Sequence, residues 1–152
     1  MSDALVAAAL AGVLSGLPST AAALARRSDP LEAVAAAGTL LLPPDAAAGH
    51  LVIAGVVAHA ALSSGWATVL VVALPARRTV PAAMAAGLAI AAFDLGAIGR
   101  RYPRIRRLAT GPQVADHLAF GAVVGAVVAC RRRQREASMR FSWSEGDASV
   151  AR

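Results

Sequence analysis

Four stretches of this chain are long enough to cross a bilayer and nearly free of charge, and nothing else in the sequence limits the fold so strongly. The first, Ala4 to Ala25, holds 22 consecutive uncharged residues. At about 1.5 Å of rise per residue, a helix of that length covers the roughly 30 Å hydrocarbon core. In lipid each backbone N–H and C=O must find its partner inside the protein, which favours helices. The pattern predicts an all-α integral membrane four-helix bundle, with spans at about 4–25, 46–74, 80–98 and 113–130. Composition agrees, with 57% hydrophobic and 16% charged residues and a mean hydropathy of +0.59, outside the range of ordinary soluble domains.

Boundary chemistry supports these limits. Arg26 and Arg27 close the first run, whose interior Ser15-Gly16-Leu17-Pro18-Ser19-Thr20 combines a proline with hydroxyls that can occupy freed carbonyls, the recipe for a kink. No Lys or Arg precedes that run, and Asp3 stands where a signal peptide has its positive region, so the segment is expected to stay in the mature protein. Asp29-Pro30-Leu31-Glu32 reads as a helix start with a capping box. A helix from Pro30 to Pro43 reaches only about 21 Å, so the segment 30–43 is expected to be an additional short interfacial or re-entrant helix. Asp45 and Thr79 read as caps of the second and third spans. The third span is interrupted only by Asp94, and Thr110-Gly111-Pro112 opens the fourth. The membrane domain is then residues 1–133, and 134–152 is expected to be a disordered polar tail.

The net charge of +6 comes from arginines in short clusters beside apolar runs, with no lysine. That placement fits anionic lipid headgroups as partners rather than nucleic acid, for which no basic stripe or aromatic platform exists. With four spans, seven arginines (26, 27, 100, 101, 104, 106, 107) face six (77, 78, 131, 132, 133, 135), so the positive-inside rule chooses no orientation. If 30–43 crossed, the clusters would divide eight against five, the best argument for a fifth span.

No sequence motif names a reaction. Cys130 is the single cysteine, which excludes an internal disulfide and a cysteine-based zinc site. No HExxH, nucleophile elbow or paired-carboxylate spacing appears, so no metal, cofactor or enzymatic activity is expected. A haem would need axial ligands on facing helices; His50 and His59, nine residues apart, fall on opposite faces of one helix. His59 and Ser63 share a face.

Ionisable residues at membrane depth face protein or water. An even number of crossings brings the end of the first span, the start of the second, the end of the third and the start of the fourth to one side. Ser19, Thr20, His50, Asp94, Asp116 and His117 then converge in one half of the bilayer, with His59 at mid-depth. Two readings stand side by side: a one-sided polar vestibule that binds or transports a small solute or lipid, and a set of hydrogen bonds tying helix ends together. Asp116 also suits the positive end of its own helix. Two GxxxG motifs, Gly12 to Gly16 and Gly121 to Gly125, predict close helix packing within the bundle. They leave open a scaffold role through a homo-oligomer or another membrane protein.

The order of a Gly/Ser-Pro-Ser-Thr first helix, a His-bearing second helix and Asp116-His117-Leu118-Ala119-Phe120-Gly121 entering the last resembles small bacterial inner-membrane proteins of the YagU-like group. The resemblance covers most of the chain in topology and only these residues in motif. It implies a multi-pass protein of a bacterial plasma membrane and lends no activity. Abundant alanine and arginine without lysine looks like a GC-rich bacterial genome.

Overall fold

A computed structural model describes residues 3–150, with side chains described for 3–139. All described elements are helical: α1 Asp3–Leu14, α2 Leu17–Ala25, α3 Glu32–Gly38, α4 Ala48–Ala73, α5 Thr79–Phe93, α6 Pro103–Arg106 and α7 Thr110–Val150. A π turn, Asp94–Ile98, and a 3-10 turn, Gly99–Arg101, link α5 to α6. Asp3–Ala25, Ala48–Ala73, Thr79–Arg101 and Thr110–Met139 are long and apolar enough to cross a membrane. By length and composition this is a multi-pass membrane protein. Its outward faces suit lipid: Val13 is 77% and Val72 82% exposed.

The first span is two helices, because the chain turns at Ser15–Gly16 before α2 begins. Pro18 brings no N–H to the break. The Ser19 and Thr20 hydroxyls instead donate to the Gly16 carbonyl, at 3.2 and 2.8 Å. At its other end α2 closes with Arg27 left-handed, φ 55°, while Ser28 N–H donates to Ala23 and Arg27 N–H to Leu24. This is the Schellman arrangement, in a position that glycine usually fills.

Several boundaries differ from expectation for local reasons. The helix expected over 30–43 narrows to α3, with turns following to Leu42. Asp29 accepts Leu31 N–H at 2.8 Å, and Glu32 turns to Arg104 instead of back to the helix start. At the far end the Thr39 hydroxyl donates to the Ala36 carbonyl at 2.6 Å, which competes with helix continuation. Seven residues reach about 10 Å, too short to cross, which leaves four stretches long and apolar enough to do so. Asp45 does not cap α4, which starts after Ala47 without a side-chain cap. Thr79 lies inside α5, and its hydroxyl donates back to the Pro75 and Ala76 carbonyls. The backbone of α7 departs from the expected tail by staying helical through 134–150. Arg135, near the start of that stretch, pairs with Asp3 at 2.6 Å.

The helices pack in a row: α5 on α7, α7 on α1, α1 on α4, and α4 on α3. Small residues set the spacing, with Ala7, Ala11, Ala67 and Ala83 fully buried around Val124. A Cβ on Gly121 would lie 2.3 Å from the Ala83 carbonyl oxygen, one on Gly125 2.8 Å from the Ala83 Cβ, and one on Gly87 2.3 Å from the His117 oxygen. The second GxxxG is therefore filled by α5 of the same chain. In the first, a Cβ on Gly12 would meet Ser63 at an ordinary 3.7 Å, and one on Gly16 would meet open space. An approach with no GxxxG signal joins α3 to α4: a Cβ on Gly55 would meet the Val34 oxygen at 1.9 Å, and one on Gly38 the Leu51 oxygen at 2.0 Å. The side of the molecule away from α3 is closed by Arg132, which donates to the Leu74 and Pro75 carbonyls past the end of α4.

Candidate functional site

Helix order leaves a gap between α4 and the end of α5, floored by α7. A cavity of about 760 Å³ fills it. His59 reaches it from α4, Asp94 from the first residue of the π turn, and Gln113 and His117 from the first turns of α7. The walls are apolar, among them Leu40, Val69, Ile98 and Leu108. Leu41, Leu62 and Phe93 also line it and are exposed on the outer surface, so the mouth opens sideways, toward lipid in a membrane. Across the gap Trp66 and Phe93 meet edge-on, with ring centroids 6.4 Å apart.

The polar end is built by helix geometry. His117 Nδ1 lies 2.8 Å from the Gln113 carbonyl one turn earlier, and because a carbonyl only accepts, this nitrogen carries a proton. His117 Nε2 lies 3.3 Å from Asp94 Oδ2. A hydrogen bond there needs one more proton, on the ring or on the carboxyl. The π turn supplies the aim: the wider turn begins at Asp94 itself, a local device common at functional sites. His59 Nε2 donates to the Gly12 carbonyl at 2.8 Å, just before the break in the first span.

Beside this cavity, Asp116 Oδ1 accepts the Ser19 backbone N–H at 2.8 Å. That amide is one of the unpaired donors at the start of α2, where a carboxylate also complements the helix dipole. Asp116 thus begins neither helix by its own backbone. It closes one from across the bundle.

A smaller cavity of about 280 Å³, lined by Ser19, Arg26, Glu32 and Arg107 among others, adjoins the large one. Ala33, Leu108 and Gln113 line both. Nearby, Arg104 holds Glu32 in a two-pronged ion pair, with both contacts at 2.8 Å. The guanidinium keeps the Glu32 carboxyl below the usual carboxylate range, and the carboxylate raises Arg104 in turn.

His59, Asp94 and His117 therefore share one cavity, Ser19 and Asp116 meet next to it, and Thr20 bonds locally. His50 is elsewhere, in a shallow apolar groove with Leu42 and Ile53. Among the described residues no three metal-ligating side chains gather. Gln113, Trp66 and Phe93 were not singled out from sequence. Of these only Gln113 had a signal, four residues before His117 on the same helical face.

Comparisons with family models, with curated proteins and with solved structures return no match.

Proposed function

We propose that this chain is a non-enzymatic binding protein of a bacterial plasma membrane, holding one amphiphilic small molecule between α4 and α5. The carrying observation is a sideways-opening apolar cavity with the Asp94–His117 pair at its polar end. Pockets of this kind bind through apolar walls and orient through a few placed polar groups. His117, Asp94 and Gln113 supply donors and acceptors for a hydrogen-bonding head, and the aliphatic walls take its chain. Contact with the smaller cavity through Gln113 gives a route toward the loop side, which favours transfer of the molecule as a second reading. The alternative scaffold role has weaker support, since Gly121 and Gly125 are already filled by α5. In this setting α3 is a re-entrant helix, lying along the first turns of α4.

Trp66 is a built-in reporter. In a Trp143→Phe background, a brominated single-chain amphiphile should quench Trp66 fluorescence saturably. Ala37→Phe, which fills the cavity, should remove the saturable component. His117→Leu should weaken binding about tenfold or more, the cost of a lost charge-assisted hydrogen bond. Quenching that rises in proportion to amphiphile, unchanged in both variants, would mean bulk partitioning and end the proposal.

A further inference from the structure

A further groove of about 570 Å³ runs along the α5–α7 pair. It adjoins the α4–α5 cavity through Leu95, Ile105 and Leu108, which line both, while Leu88, Ala92, Arg100, Arg106, Thr110 and Val114 belong to the groove and not to that cavity. Leu88, Ala92, Leu95 and Val114 wall it, and Arg100 and Arg106 stand at one end with Thr110. From Leu88 to Arg100 is twelve residues, or about 18 Å of helix, close to the roughly 15 Å that one leaflet contributes to the hydrocarbon core. The apolar length therefore matches one acyl layer, and the arginines stand at headgroup level.

Charge sets the character of that end. Arg104, the neighbour of both arginines in the loop, is committed to Glu32. Among the described residues Arg100 and Arg106 have no ion pair, and both are exposed. No carboxylate lines the groove. Two guanidiniums that can each grip a phosphate with paired N–H groups, above a leaflet-deep apolar wall, form a complement for one class of molecule.

We infer that this groove binds a net-anionic glycerophospholipid, with its phosphate between Arg100 and Arg106 and an acyl chain along Leu88, Ala92 and Leu95. A zwitterionic lipid gains less, because its cationic group meets the same two arginines. The groove borders the α4–α5 cavity at Leu95, but Arg100, Arg106 and Ala92, on which the test below turns, do not line that cavity, so either proposal can fail alone.

The test is native mass spectrometry of the protein released from nanodiscs of mixed phosphatidylglycerol and phosphatidylcholine. The unaltered chain should retain phosphatidylglycerol in preference to phosphatidylcholine. Arg100→Gln and Arg106→Gln should each lower that preference about fivefold, and together about thirtyfold, the size expected for juxtamembrane cations at a headgroup. Arg133→Gln, at the other membrane face, should leave it unchanged. Ala92→Trp, which fills the groove and keeps both arginines, should also abolish retention. Circular dichroism and gel filtration identify variants that fold, and the single substitutions carry the test if the double one does not. The inference fails if the arginine variants keep the full preference or if Arg133→Gln lowers it equally. It fails too if Ala92→Trp retains the lipid, or if millimolar inorganic phosphate displaces it, which would mark a site for free anions.

Discussion

Glu32 illustrates how one side chain can reassign a stretch of backbone. By sequence it completes a capping box with Asp29; in the fold it reaches Arg104, seventy-two positions away in the chain. Its carboxyl is held below the ordinary value by that guanidinium, so the stabilisation is fully present above the unfolded carboxylate pKa of about 4.3 and is lost as pH falls through the lower folded value. Melting temperature in detergent should therefore drop more between pH 5 and pH 3 for the unaltered protein than for Glu32→Gln. The difference should stay within about 1 kcal/mol, because the pair is partly solvated. Equal slopes in the two proteins would show that the ion pair contributes nothing to folding. His50 gives the complementary lesson. Its position at the start of the second span points to convergence with Asp94 and His117, but its side chain lies in a separate apolar groove with Leu42 and Ile53, while His59, nine residues on, lines the cavity.

Among the elements, the pairing of α3 with α4 was the least legible. Gly38 and Gly55 belong to no GxxxG repeat, and their significance arises only when the chain reverses at 39–47 and lays one helix along the other. Gly55→Ala should force the two backbones apart and cost about 1–3 kcal/mol, the usual range for overpacking. Gly65→Ala on the same helix meets open space and should be neutral or stabilising by up to about 1 kcal/mol. Thermal unfolding of the two variants side by side checks this, and equal destabilisation would contradict the close approach. The four long spans, in contrast, are readable from the length of nearly uncharged runs, since the arginine clusters stop each one. The π turn was not: no residue type marks it, and it matters because it presents Asp94 to α7.

For the molecule as a whole, the number of crossings decides whether its polar groups can meet. With α3 about 10 Å long, the count stays even and the loops at 26–47 and 99–109 share a side. In a Cys130→Ser background, single cysteines replacing Asp45 and Ala109 should label from one face of the membrane, and those replacing Arg78 and Ser138 from the other. Labelling of positions 45 and 109 from opposite faces would break up the proposed site.

The edge-on meeting of Trp66 and Phe93 has a consequence for traffic. In a ring-shaped bundle, a guest bound among the helices could leave only by disrupting the core. Here α4 and α5 face one another over a seam where Trp66 meets Phe93, a contact worth about 0.5–1.5 kcal/mol beyond its buried area. In the proposed binding role, a passenger would slip out sideways by parting that clasp while the alanine-packed spine behind it stays shut.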